Sequence, residues 1–294
     1  MNLRRYLKKM GAADNTKENR FAFGENWQNF TSRSLNETRI VEAEKSLLDF
    51  LNLSTLEGLT FLDIGCGSGL FSLAAYRLKA AKIFSFDYDE NSVSSCQSLH
   101  QMAGSPSHWT VCQGSVLDTK FLSTLPPADI VYSWGVLHHT GRMWQAVRNA
   151  AGLMKPGGLF YLALYNKVER FTVDSQGRLG TSAFWQWEKK MYNNLPLFLQ
   201  RIVDYGALLS VWGVLLLRFK NPLSYSRSYY QKRGMNLLTD IRDWLGGYPY
   251  EFASVEEVTR FCAQELKLTL KNVKKTDGFG NNEFLFASIS TPSK

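Results

Sequence analysis

Two hydrophobic periods alternate along this chain. Ile40, Ala43, Leu47, Leu48 and Leu51 recur at steps of three and four, which predicts a helix that ends before Gly58. Short apolar runs at 59–64, 83–87, 108–113, 129–134 and 159–164 read as strands. Helical patterns separate them. Leu70, Leu73, Ala74 and Leu78 share one face, residues 90–102 form a second helix, and Met143, Val147, Ala150 and Met154 share the face of another. Lys155-Pro156-Gly157-Gly158 is expected to terminate that last helix. Strands alternating with helices imply parallel crossover units, hence a doubly wound α/β sheet. Near the end, Ser254-Val255-Glu256-Glu257 is a capping box opening a helix with Val255, Val258, Phe261 and Cys262 apolar. Strands at 266–273 and 283–289 follow, joined by a turn at 277–282 that is too short for a parallel crossover, so the final pair is antiparallel.

The alternation fails between 166 and 253. That stretch shows no strand pattern and holds 16 of the 40 aromatic residues. The expected organisation is a helical segment over 1–57, an α/β domain over 58–165 and 254–290, and a helical insertion over 166–253. In such a sheet an insertion after the fifth strand lies over the carboxyl edge, as a lid.

Composition narrows the class. A chain of 294 residues that is 45% hydrophobic can bury a full core and is too apolar to be disordered. The longest uncharged apolar run, 206–217, falls short of a membrane span, and no apolar signal core follows the basic start. Cys66, Cys96, Cys112 and Cys262 fit neither a disulfide framework nor a metal pattern, so a reducing cytoplasm is expected. The net charge of +8 sits almost wholly in residues 151–294, which carry 19 Lys/Arg against 12 Asp/Glu. An anionic partner would meet that half.

The densest chemical signal is Asp63-Ile64-Gly65-Cys66-Gly67-Ser68-Gly69. Glycines after a strand let the backbone approach a ligand, and the next helix offers free N–H groups. The third glycine comes one residue early for a dinucleotide fingerprint. Asp63 would repel a pyrophosphate but suits a cation, so S-adenosyl-L-methionine, with its sulfonium and amino group, fits better than a nicotinamide dinucleotide. Asp87, at the end of the second strand, suits a ribose diol in either case.

Several segments together resemble the class I S-adenosylmethionine-dependent methyltransferases: LDIGCGSG at 62–69, FDYDE at 86–90, DIVYSWGVLHHT at 129–140 and LMKPGG at 153–158. The resemblance implies a Rossmann-like seven-stranded sheet with its last strand antiparallel. It further implies that Asp63, Gly65, Cys66, Gly67 and Gly69 hold the methionine end of the donor, and that Asp87 with Tyr88 holds the ribose. Ser115 and Val116 would border the adenine, Ser115 standing where many relatives carry an acid. Trp134 and Gly135 would line the site at the end of the fourth strand. Cys66 is read as a small packing residue, and Trp144 as core or pocket wall.

His138 and His139 lie just beyond the fourth strand, where open α/β sheets bind ligands. Either is suited to take a proton from an acceptor; the resemblance makes His139 the stronger candidate base, because many related methyltransferases have a histidine at that motif position, and the competing role is structural support. No metal triad is visible. In the insertion, Arg227, Tyr230, Lys232 and Arg233 mix basic and aromatic character and are candidates for holding the acceptor. The apolar stretch 207–217 is read first as a helix buried against the sheet. The expected function is methyl transfer to a small or medium organic acceptor, anionic or lipid-like. Peripheral membrane contact, an RNA acceptor and a non-catalytic donor-binding module stay open, and no protein partner is inferred.

Overall fold

The computed structural model describes residues 36–174, 177–233 and 236–288. The aromatic segment 20–27 lies outside them.

Helix α1 (Glu37–Leu51) opens on Asn36, whose side chain accepts from the Arg39 N–H at 3.0 Å. It presents Ile40, Ala43, Leu47, Phe50 and Leu51 to the interior. Five α/β units follow: β1 (Thr60–Ile64), α2 (Leu70–Arg77), β2 (Lys82–Asp87), α3 (Glu90–Met102), β3 (Trp109–Gln113), α4 (Thr119–Leu122), β4 (Ala128–Trp134), α5 (Met143–Ala151) and β5 (Met154–Tyr165). The chain then forms a two-stranded hairpin, β6 (Thr172–Val173) with β7 (Leu179–Gly180). Four helices follow it: α6 (Ser182–Asn193), α7 (Leu197–Leu217), α8 (Pro222–Arg233) and α9 (Leu237–Gly246). It closes with α10 (Val255–Gln264), β8 (Leu268–Lys274) and β9 (Asn281–Ser288).

The seven-stranded sheet runs β3-β2-β1-β4-β5-β9-β8. The first five strands are parallel, and β9 pairs antiparallel with both β5 and β8. Every residue of β1 is buried, as expected for a central parallel strand covered by helices on both faces. Alternate side chains feed two cores. Leu62, Ile64, Phe160, Leu162, Phe284 and Phe286 pack on the α5 and α10 side. Phe61, Ile83, Tyr132, Tyr161 and Leu285 pack on the side of α1, α2 and α3. The order reverses between β1 and β4, so the loops at their carboxyl ends diverge and open a crevice there.

Three expectations need correction. The fifth strand starts earlier than its apolar run. Met154 already pairs with Ala128, the register breaks, and pairing resumes at Leu159 with Ile130, so Lys155–Gly158 bulges within the strand. Lys155 anchors the bulge by donating to Asp129 Oδ2 at 2.7 Å. Strand structure also occurs in the insertion, as β6 and β7, where Asp174 accepts from the Arg178 N–H and guanidinium. Finally, the apolar helix α7 spans 21 residues, long and apolar enough by length and composition to cross a membrane. Only 11% of its most apolar window is buried, so it is not a core helix.

The ends of the insertion are pinned together at the tip of β5. The Ala253 N–H donates to the Tyr165 carbonyl at 3.0 Å and the Lys167 N–H to the Ala253 carbonyl at 3.2 Å. Whatever 166–253 does is therefore delivered at the carboxyl edge of the sheet. Phe160 is fully buried in the centre of one core. Phe160→Ala should cost about 3–5 kcal/mol of stability, read as a lower urea midpoint at unchanged slope.

Candidate active site

At the β1 carboxyl end the loop turns back on β2. The Gly65 and Cys66 N–H groups both donate to the Phe86 carbonyl, at 2.8 and 3.1 Å. Gly65 has a φ of +74°, and a β-carbon there would come within 2.4 Å of Val136. Only glycine lets the loop pass that close to the β4 loop. Gly69 has a φ of +84° and faces Cys96 on α3. It shapes the turn and does not line the crevice, contrary to its expected donor contact.

The crevice is a cavity of about 460 Å³, within the usual range for small-ligand sites. It brings together Asp63, Gly65, Cys66, Gly67, Asp87, Tyr88, Ser115, Val116, Trp134, Gly135 and His139 from the sequence reading. Phe71, Tyr132, Tyr165, Tyr248 and Asn281 join them.

Two carboxyls sit on the glycine-loop side. Asp63 is buried, and its Oδ2 accepts from Ser72 Oγ at 2.5 Å. Ser72 lies 2.7 Å from Ser85 Oγ, which accepts from the Trp109 indole N–H at 2.9 Å. An indole only donates and an ionised carboxylate only accepts, so with Asp63 ionised the single Ser72 proton goes to Asp63 and Ser85 donates to Ser72. Asp87 accepts from the Gly67 N–H at 3.0 Å and the Asp89 N–H at 2.9 Å. Burial pushes the Asp63 carboxyl up to about 7, against the Ser72 hydrogen bond. Burial also raises Asp87 to about 6, opposed by the backbone N–H donors. A buried Asp63 and a half-buried Asp87 on one cavity, neither paired to a lysine or arginine among the described residues, make a site suited to a cationic ligand.

The adjacent histidines separate in role. His139 lines the cavity, and its Nδ1 lies 2.6 Å from the Pro249 carbonyl. A carbonyl only accepts, so Nδ1 carries the proton and Nε2 carries the lone pair. Burial, opposed by that carbonyl and helped by the Lys189 charge, holds the imidazole down at about 4. His139 is therefore neutral at neutral pH. His138 is fully buried, off the cavity, and accepts from the Tyr165 N–H at 3.3 Å, with its ring 4.0 Å from the Tyr165 ring. It sits beneath Tyr165, away from the cavity that His139 lines.

The insertion contributes differently from expectation. Tyr248, just past the end of α9, reaches the cavity. Glu251 accepts from the Met143 N–H at 3.0 Å, and the Glu251 N–H donates to the His138 carbonyl at 3.0 Å, which ties this segment to the β4 loop. Arg227 is exposed on α8 and does not line the cavity, and the side chains of Tyr230, Lys232 and Arg233 lie outside the described residues. Trp144 packs against Phe261 with the rings tilted and their centroids 4.6 Å apart, away from the cavity. Behind His139, Lys189 is buried, its ammonium 4.1 Å from the Trp244 ring and 5.2 Å from the Tyr250 ring. The signal for Tyr165 and Tyr248 was weak. Each is a single aromatic residue at an element end, and only the pinned insertion brings them together.

Residues 62–162 match a family described as a methyltransferase domain. A ubiquinone biosynthesis O-methyltransferase from Methylobacterium sp. (strain 4-46) is 30% identical over 169 residues, 54% of this chain and 64% of that one. The corresponding protein of Caulobacter vibrioides is 31% identical over 112 residues, 38% of this chain and 43% of that one. The chain thus spans less than two thirds of the length of these curated relatives. Among solved structures, an O-methyltransferase family protein from Burkholderia thailandensis matches with a TM-score of 0.53 at 11% identity, over 87% of this chain and 59% of that one. Magnesium protoporphyrin IX methyltransferase from Synechocystis PCC 6803, solved with bound SAH, matches with a TM-score of 0.51 at 13% identity, over 91% and 95%. These structural likenesses show the fold.

Raised carboxyls give the site a pH signature. A bound cation favours ionised Asp63 and Asp87, so binding expels any protons they hold. Affinity for a sulfonium nucleoside should therefore rise as pH climbs from 5.5 through about 7, by about tenfold or more, and then level. Calorimetry in buffers of differing ionisation enthalpy measures both the affinity and the released proton; a flat profile would contradict the assignment.

Proposed function

We propose, from the premise that residues 62–162 make this chain a class I S-adenosylmethionine-dependent methyltransferase, that it methylates a hydroxyl of an apolar organic acceptor. The observation that carries the reading is His139. Its tautomer is fixed by Pro249, and it lines the same cavity as the two carboxyls.

The donor fits the residues present. Asp63 offers a buried negative charge to the methionine end, Asp87 offers carboxylate oxygens to the ribose hydroxyls, and Ser115 and Val116 border the adenine. When bound, S-adenosylmethionine supplies an electrophilic methyl group on a positively charged sulfur. The remaining chemistry belongs to the chain. Phe71, Tyr132, Trp134, Tyr165 and Tyr248 make aromatic cavity walls that suit an apolar acceptor and exclude water. An acceptor hydroxyl must lose its proton as it becomes an ether, and His139 takes it on Nε2 while Nδ1–H stays on the Pro249 carbonyl. Burial and the nearby Lys189 keep His139 neutral at rest, and the Pro249 carbonyl, which favours the charged ring, partly offsets their cost when the proton arrives. Several matched relatives are named O-methyltransferases, which supports an oxygen acceptor, while others are named ribosomal protein L11 methyltransferases.

The test uses isotope-labelled donor with the full chain and an organic-solvent extract of cells. Label should pass to an extractable compound. Label in RNA would replace the acceptor class, and donor binding without transfer would leave a binding module. His139→Gln should slow turnover by about 100-fold or more with donor affinity unchanged; near-normal turnover removes the base role. Asp87→Ala should weaken donor binding by about 1–3 kcal/mol, measured by calorimetry.

A further inference from the structure

Helix α7 is strongly apolar, yet the described residues cover only one side of it. The covered side is held by specific contacts. Asp204 accepts from the Arg242 guanidinium at 2.8 Å and from the Tyr192 hydroxyl at 2.6 Å, and Leu215 is buried. The other side carries Phe198, Ile202, Tyr205, Leu209 and Leu216, spaced four, three, four and seven apart. That spacing is one helical stripe, and these residues are each 51–65% exposed among the described residues. Past the helix end two more apolar side chains are open to solvent, Phe219, 99% exposed, and Leu223, 59% exposed. A continuous apolar stripe of this length on an otherwise soluble surface marks an interaction site.

Charge identifies the partner. Over residues 197–229 the only carboxylate is Asp204, which is buried and paired. The cations Arg201, Arg218, Lys220 and Arg227 are all exposed. From an apolar stripe with exposed cations and no exposed carboxylate, we infer that the α7–α8 surface docks onto an anionic lipid bilayer. Apolar side chains enter the acyl boundary, and the basic residues stay among the headgroup phosphates. A second copy is a poorer fit, because a two-fold contact would bring the same unneutralised cations together. RNA is a poorer fit as well, since Ile202, Leu209 and Leu216 offer bases nothing to stack on. The helix lies on the bilayer instead of crossing it. Trp212 donates to Ser226 of α8 at 3.3 Å, and α9 holds its mid-length Asp204, so both flanking segments return to the same protein body. This inference is independent of the acceptor proposed above, although a bilayer-seated enzyme would meet lipid-like acceptors at its own surface.

Vesicle co-sedimentation of the full chain is the test. The vesicles are phosphatidylcholine alone, or phosphatidylcholine and phosphatidylglycerol in equal parts. Binding is expected to the anionic vesicles, weakened by salt and by omission of phosphatidylglycerol. Arg218→Gln with Lys220→Gln should lower the partition coefficient by roughly 25-fold, and Ile202→Glu with Leu209→Glu should abolish binding. Circular dichroism and the melting temperature verify that each variant folds. Failure of the folded parent to bind anionic vesicles at low salt overturns the inference. So does unchanged binding of the folded Ile202→Glu/Leu209→Glu variant, self-association through this stripe without vesicle binding, or binding of single-stranded RNA in place of vesicles. Donor binding, measured separately, reports on the active site whichever way the vesicle result falls.

Discussion

A buried carboxyl with no cation beside it is the constraint on which this site rests. Asp63 ends a strand buried on both faces, where solvent cannot stabilise its charge. The protein compensates only in part, through Ser72 at the end of a hydrogen-bond chain that begins at the Trp109 indole. That chain crosses from α2 through β2 to β3, so the polarity at the crevice is built into the packing of three elements. A positively charged ligand supplies what remains missing. The glycine loop exists in its present form because it must run between this carboxyl and Val136 without a side chain.

The second organising device is the pinning of the insertion. Backbone hydrogen bonds between Tyr165, Lys167 and Ala253 close 88 residues into a loop whose ends lie at the tip of β5. What the insertion adds to the site arrives through this closure. Tyr248 adds a wall, Pro249 fixes the His139 tautomer, and Lys189 adds a buried charge behind it. Adjacent histidines thus acquire different duties. His138 turns inward under Tyr165, and His139 faces the cavity; one peptide unit separates a packing residue from a candidate base.

The far side of the insertion obeys another rule. A helix as apolar as α7 would ordinarily be buried, and its charged residue Asp204 is indeed satisfied inside. Its outer stripe stays open to solvent because no described element packs there. Exposure of that kind is costly in water and becomes favourable only against another apolar phase.

The sequence by itself determined the parallel units, the antiparallel closing pair and most of the residues expected at the crevice. Those features are local: a period of two or 3.6, a glycine after a strand, and a carboxylate at a strand end are written in neighbouring residues. Tertiary structure alone decided the rest. The bulge at Lys155–Gly158 depends on a register with β4, and the withdrawal of Gly69 from the cavity depends on Cys96. Which histidine faces the ligand depends on Tyr165 and Pro249, which come from distant parts of the chain. Hydrophobic composition stated that α7 is apolar, but not which of its sides the protein would cover. Burial is a relation between elements far apart in the chain, so no window of sequence contains it.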